Sequence, residues 1–518
     1  MSEIQLGKIF SEGIETKVFE NKRFVCISSE VLTRLSEMAF HNLAYYLRKE
    51  QLESWARIVS EDSSTANEKL VCSNLIKNAV IASEGILPLC QDTGTATVFA
   101  WKGEQVLTGS DDKLSLEAGI KNAYQSNPLR FSQLAPISMF SECNTQNNLP
   151  AQIDIFHEPG EEYKFLFMAK GAGSSNKTVL IQGSKAVLNE TSLKKLLREK
   201  LSALGTAACP PYTITLVVGG SSPEQNLFHL KLASAGWLDA WPTAGHVGTH
   251  GYRDKHWEKV LLQLANETGL GAQFGGSNLA IDSRVFRLPR HAGSCMLSLG
   301  VSCSAHRCIT GKITAGGAFL EELEKNPGRF LSSVSVPELK SAAIDLNLPM
   351  PEIIARLSKL KAGAFVRLSG PMIIARDMVH ARINEYIFHG KPVPDYFFKH
   401  PIFYAGPART PEGCCTGSIG PTTADRMDNY ANTFMKNGIG LVTIAKGNRS
   451  EQVAKACRKY GGFYLGTIGG AAALLAKEHV INSEIIGFEE FGMEAARKIL
   501  VKDFPAFIIY DNHGHKLY

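Results

Sequence analysis

The sequence predicts an α/β fold in two parts, a larger N-terminal α/β domain over residues 1–335 and a smaller C-terminal β/α domain over residues 350–518. Three observations carry this expectation. Short apolar and aromatic runs feed glycine-rich turns, stretches with helical apolar spacing lie between them, and the chain turns irregular between residues 325 and 350. A chain of 518 residues is also too long for a single core.

Taken in order, residues 29–50 carry Leu32, Leu35, Ala39, Leu43 and Leu47 at helical spacing, with Ser29 as the expected N-cap and Glu30 in the first turn. Residues 163–168 read as a buried strand leading into the loop Lys170-Gly-Ala-Gly173-Ser-Ser-Asn176-Lys177-Thr. Residues 212–218 repeat the pattern, ending in Gly219-Gly220-Ser221-Ser222. Asn326-Pro327-Gly328, a Ser-Ser-Val-Ser stretch and Pro337 then mark the domain boundary. Beyond it the sequence predicts a helix over 351–360, a strand near 364–368, a helix over 377–387 and a final strand over 506–510.

Composition bounds the function. With 44% hydrophobic and 20% charged residues the chain is an ordinary soluble globular enzyme by composition. A net charge of +5 is small for this length and points to neither nucleic acid nor membrane as a partner, while mild positive potential suits an anionic metabolite. The first residues mix acids with bases and lack the apolar core of a signal or transit peptide. The eleven cysteines do not follow the spacing of a small secreted domain, so a reducing compartment, the cytoplasm, is expected.

Three of those cysteines carry most of the information: Cys90 in Leu-Cys-Gln-Asp-Thr-Gly-Thr, Cys209 in Gly-Thr-Ala-Ala-Cys-Pro-Pro and Cys303 in Gly-Val-Ser-Cys-Ser-Ala-His-Arg. A lone cysteine is more often a small packed apolar residue than a ligand. A [4Fe–4S] cluster normally takes four thiolates, so three in glycine-, proline- or serine-rich loops suggest a cluster with one iron left open, which is a Lewis acid. The loop 170–178 does not match a phosphate-binding G-x-x-x-x-G-K-[ST] motif, and a tight turn explains it about as well as an anion site. His246 and His250 have the spacing of a zinc pair but sit in a Gly- and Pro-containing segment with no third ligand nearby, which favours a structural role.

These cysteine segments, together with His291 in Leu-Pro-Arg-His-Ala-Gly-Ser and Thr422 in Gly-Pro-Thr-Thr-Ala-Asp-Arg-Met-Asp, resemble class I fumarate hydratase, the oxygen-sensitive iron–sulfur fumarase. The resemblance runs in order from about residue 85 to 507. It implies a hydro-lyase of the tricarboxylic acid cycle that interconverts (S)-malate with fumarate and water, a [4Fe–4S] cluster on Cys90, Cys209 and Cys303, a swivelling C-terminal domain, and a homodimer. It further implies Thr422 as base, Asp92 as acid/base partner, and His291 as an orienting or proton-relaying group. For the small dicarboxylate it implies Gln91, Arg130, the backbone of Gly173, Arg376, Arg426 and Lys446. Arginine suits that task because its planar guanidinium can hold a carboxylate at two points. A threonine hydroxyl is a poor base unless nearby cations favour its alkoxide.

Departures from the family pattern are mild. Asp425 stands where glycine is usual and could compete for Arg426; Ala172, Ser175, the His291-Ala-Gly order, residues 246–252 and the vicinal Cys414-Cys415 also differ. A hydro-lyase acting on tartrate or mesaconate, a non-catalytic iron–sulfur sensor, and a zinc or structural binding protein are the alternative expectations. The acid/base residues beside the cysteines favour an enzyme.

Overall fold

The computed structural model describes residues 5–332 and 339–518. The Ser-Ser-Val-Ser stretch, apart from its first residue, and Pro337 lie outside the described residues. The fold is α/β, built on three large sheets.

The first has six strands. Leu6–Phe10, Gly317–Glu321, Arg307–Thr314, Tyr163–Lys170, Thr95–Gly103 and Gln152–Glu158 lie side by side in that order. Tyr163–Lys170 sits in its centre, and its alternation sorts side chains to two cores. Phe165 and Phe167 pack with the helices Ser29–Tyr45 and Asp112–Ser126, whereas Leu166 and Met168 face the second sheet. That second sheet has five strands, with Tyr212–Gly220 buried along its whole length between Leu297–Ser302 and Ala280–Arg290.

The third sheet, drawn from residues 342–510, is parallel through Ala342–Asp345, Phe365–Ile374, Ile402–Phe403, Val442–Ala445 and Phe463–Gly466. The strand Ala496–Tyr510 pairs antiparallel with both Phe365–Ile374 and Phe463–Gly466, which closes these strands on themselves. The apolar core under this sheet also takes in Leu52, Trp55, Val71 and Leu75 from the helices Lys49–Ser60 and Ala66–Ala82. The two halves of the chain therefore share a core.

Several sequence expectations change at their edges. The helix predicted over 29–50 is two helices, Ser29–Tyr45 and Lys49–Ser60. Ser28 rather than Ser29 is the extended N-cap, and the break arises where Leu47 leaves the helix to pair with Glu324. The strand expected near 364–368 runs on to Ile374, because Gly370, at φ +126°, takes up a register shift that a residue with a Cβ adopts only with strain. The final strand begins ten residues early, at Ala496, where Lys498, Lys502 and Asp503 interrupt the apolar pattern of a strand whose polar faces meet solvent. The strands over 163–168 and 212–218 and the helices over 351–360 and 377–387 are present as Tyr163–Lys170, Tyr212–Gly220, Met350–Leu357 and Asp377–Phe388.

One buried ion pair ties the closing loops of the third sheet together. Arg449, with a fully buried side chain, donates through Nε to Asp428 Oδ1 at 2.7 Å, and the Ser450 N–H reaches Asp428 Oδ2 at 2.7 Å. The guanidinium lies between the rings of Tyr404 and Tyr464, 5.4 and 5.3 Å from their centroids. Removing the carboxylate alone would strand a buried cation, so Asp428→Ala should cost about 3–5 kcal/mol of stability. Urea unfolding of the variant reads this directly, and a loss below about 1 kcal/mol would show that the pair carries little.

Candidate active site

Loops at strand ends from all three sheets converge on one cleft of about 600 Å³. In the parallel part of the third sheet they leave from the carboxyl ends of the strands, the usual place for a ligand crevice in α/β folds. Cys90, Gln91 and Asp92 precede the strand Thr95–Gly103; Gly173 follows Tyr163–Lys170; Cys209 precedes Tyr212–Gly220; Cys303 follows Leu297–Ser302. From the third sheet come Arg376, Thr422, Arg426 and Lys446. With Arg130, eleven of the twelve residues expected from the sequence line this cleft.

The twelfth is His291. It is exposed in the turn after Ala280–Arg290, its Nδ1 accepting from Gly293 N–H at 3.1 Å, and it is not among the residues lining the cleft. The chain contains the reason: Arg290 fixes that turn by donating to the carbonyls of His291, Ala292 and Ser294, and so holds it outward. His246 and His250 are likewise exposed.

The loops are fastened to one another by hydrogen bonds across large sequence separations. Ser304 N–H donates to Cys209 O at 3.0 Å, joining two cysteine loops. Cys209 sits at φ +62°, a left-handed conformation uncommon outside glycine. Lys446 Nζ donates to its sulfur at 2.8 Å. Gln91 Nε2 donates to Pro421 O at 3.3 Å, next to Thr422, and Arg130 Nη1 donates to Gly406 O at 3.4 Å. Thr422 is 7% exposed, with its N–H bonded to Tyr404 O and its carbonyl to Lys446 N–H, and its hydroxyl has no partner among the described residues.

Charge dominates the cleft. Among the described residues that line it, Asp92 is the one carboxylate. Burial pushes Asp92 up, but Arg130, Arg307, the Ala172 N–H (2.8 Å to Oδ2) and Lys446 outweigh it and hold the carboxyl below its ordinary range. Opposite stand five cations: Arg130, Arg307, Arg376, Arg426 and Lys446. Arg376 is 7% exposed, its Nη2 is 3.1 Å from Glu494 Oε1, and its Nε has no hydrogen-bond partner. Burial, with Arg130 adding repulsion, lowers its pKa to about 10. Burial also pushes the Cys209 thiol up to about 11 against the pull of Lys446, and raises Cys90 against the pull of Arg307.

The carboxylate competing for Arg426 is Asp377 rather than Asp425. Arg426 Nε donates to Asp377 Oδ1 at 2.9 Å and Nη2 to Oδ2, whereas Asp425 is exposed and makes no ion pair among the described residues. Asp377 follows Arg376 directly in the sequence. Sequence reasoning also missed Arg307, although it stands four residues after Cys303 in a segment already singled out.

Set on an α/β frame, this gathering of thiols, one carboxylate, the unpartnered hydroxyl of Thr422 and five cations is the equipment of an enzyme acting on small anions. Comparison with known proteins gives the family. The model of the fumarate hydratase (fumerase) family matches residues 33–312, and that of the fumarase C-terminus matches residues 317–518. The chain is similar to fumarate hydratase 2 of Leishmania major, 47% identical over 97% of this chain and 89% of that one. It is also similar to the aerobic class I fumarate hydratase of Escherichia coli strain K12, 47% identical over 98% of this chain and 93% of that one. The mitochondrial fumarate hydratase 1 of Leishmania major is 45% identical over 95% and 90%. The chain belongs to the class I fumarate hydratase family and is a lyase. No helix of the described residues is long and apolar enough to cross a membrane.

Gly406 leaves the space that Arg376 fills: a Cβ there would come within 2.9 Å of the guanidinium carbon. Gly406→Ala should therefore displace the Arg376 guanidinium from the cleft while leaving the fold intact. A structure of the variant tests this, and an unmoved Arg376 would refute it.

Proposed function

We propose that this cleft interconverts fumarate and water with (S)-malate, using a [4Fe–4S] cluster on Cys90, Cys209 and Cys303. The observation that carries the reading is the convergence of those three cysteines with Asp92, Thr422 and a set of cations in one cleft. The donor set fits such a group. All three cysteines line the one cleft, and thiolate is the usual ligand of such a cluster. When bound, it supplies a Lewis-acidic iron with one position open to substrate.

The chain's own groups do the rest. Arg376, Arg426, Lys446 and Arg130 receive the two carboxylates, with the backbone of Gly173 closing the opposite side and Gln91 donating or accepting a hydrogen bond. Thr422, with its hydroxyl unpartnered and cations around it, moves the C3 proton. Asp92, held ionised by its neighbours, is the group that can accept a proton within the cleft. His291 lies outside the cleft of its own chain, so no proton step is assigned to it here. A division of the chain near residues 335–350 would put the cysteines on one side of the cleft and Thr422 with three cations on the other. Eleven unpaired cysteines support a reducing compartment, for which we propose the cytoplasm; the homodimer is likewise a proposal, open to gel filtration.

The deciding experiment is an anaerobic assay on fumarate, (S)-malate, mesaconate and the tartrates, with iron and sulfide quantified. The expected result is about four of each per chain and preference for fumarate and malate. Preference for tartrate or mesaconate would reassign the substrate, and a full cluster without turnover would favour a sensor. Cys90→Ser, Cys209→Ser or Cys303→Ser should remove cluster absorbance and activity together.

Thr422→Ala should lower kcat by about 10²-fold or more while KM and cluster absorbance hold, since it removes only the proton-handling hydroxyl. Near-normal kcat with an intact cluster would move the base elsewhere.

Asp377 grips Arg426 at two points and so fixes its orientation toward the cleft. Asp377→Asn should raise KM severalfold, whereas Asp425→Gly should leave it within about twofold. The opposite ranking would return the tuning role to Asp425.

A further inference from the structure

A second cavity of about 280 Å³ lies behind the cleft, sharing Gly171, Ser174, Cys303 and Arg307 with it and reaching back to Lys170 and His306. Two basic side chains line it, and neither makes an ion pair among the described residues, although Arg307 acts on Asp92 at longer range. Arg307 is 4% exposed, its Nε has no hydrogen-bond partner, and its guanidinium makes no ion pair among the described residues. Lys170, the last residue of the strand Tyr163–Lys170, is partly buried, with neither a hydrogen bond nor an ion pair for its ammonium among the described residues. A cation taken out of water without a partner is costly, and folds rarely keep one without a use.

The positions of these cations follow the cysteines. Lys446 lies 2.8 Å from Cys209 Sγ. Arg307 and Lys170 line the second cavity together with Cys303. All three basic side chains therefore stand on the cysteine side of the cleft. A cluster core held by three thiolates keeps a net negative charge once the core's own positive charge is counted, and a dicarboxylate adds more, whereas the cleft itself holds a single carboxylate among its described lining residues, Asp92.

We infer that Lys170 and Arg307 are charge partners of the metal cluster, without a close ion pair in the polypeptide alone and offset more fully when thiolate-bound iron and sulfide fill the space before them. The inference rests on the cluster proposed above. Its consequence is electrostatic: a nearby cation favours the more reduced, more negative form of a cluster, so these side chains raise its reduction potential and slow its oxidation by dioxygen.

Lys170→Met keeps the length of the side chain and removes its charge, and it separates this role from a structural one. Metal-free Lys170→Met should unfold at a higher temperature than metal-free wild type, because an unpaired buried charge has gone. Once loaded anaerobically, the same variant should show a more negative cluster potential and lose its visible absorbance in air severalfold faster than wild type; Lys170→Arg should restore both, and Arg307→Met should follow Lys170→Met. Equal potentials and equal bleaching rates in loaded wild type and Lys170→Met would overturn the inference. So would a Lys170→Met protein destabilised in both forms, which would make Lys170 a packing residue. Wild type that takes up no iron and sulfide would instead overturn the cluster reading on which this rests.

Discussion

The accumulation of positive charge in one cleft is the constraint on which the rest of this structure depends. Five cations line it against one carboxylate, and several of them are almost wholly buried. Like charges held this close repel, and desolvation adds to the cost. A fold keeps such an arrangement only if its scaffold is stiff enough to resist spreading and if an anionic occupant returns the energy. Both conditions are visible here. The strand Ala496–Tyr510 closes the third sheet on itself, and the helices Lys49–Ser60 and Ala66–Ala82 share that sheet's core, so the two sides of the cleft are packed through common apolar contacts.

The fastening of the loops answers the same constraint from within. Gln91 to Pro421, Arg130 to Gly406 and Lys446 to Cys209 each join the front half of the chain to the back half over 237 to 330 residues of sequence. Each contact also uses a side chain that lines the cleft. Cleft-lining groups and structural ties are therefore the same residues, and a substitution made to probe the cleft will also loosen the seam. The Arg449–Asp428 pair stands apart from this economy: it lies outside the cleft lining yet holds the loops that carry Thr422, Arg426 and Lys446, and so stiffens the site without entering it.

Much of the site was legible in the sequence because its residues sit in short segments whose glycines, prolines and serines have no role in a core. Eleven of twelve expected residues meet in one cleft. The sequence was less informative where geometry, rather than residue type, decides. His291 stands in a segment as distinctive as the cysteines', but Arg290 bonds three carbonyls of its turn and holds it outside. Asp425 is adjacent to Arg426 in the chain, yet in a 3₁₀ turn neighbours point apart, and Asp377, 49 residues away, reaches the guanidinium instead. The fold class was readable from alternating strand and helix patterns, while boundaries failed where a tertiary contact ends an element, as Leu47 does by pairing with Glu324. Closure of the third sheet had no local signal at all, since it depends on pairing partners about 130 residues apart.

The cations of the cleft fall into two sets, and the division follows the chemistry each faces. Arg376 has Glu494, Arg426 has Asp377 and Arg130 has Asp92 within 3.6 Å; these are the side chains proposed above to meet the substrate. A carboxylate partner lets such a cation stay charged and oriented while the cleft is empty, and leaves part of its fork free for a visiting anion. On the cysteine side Asp92 is the single carboxylate among the described lining residues, and Arg130, Arg307 and Lys446 share it. Lys446 also leans on Cys209, while Arg307 and Lys170 make no ion pair among the described residues. Carboxylates are thus fewer than cations there, and the surplus positive charge is what an anionic occupant would offset.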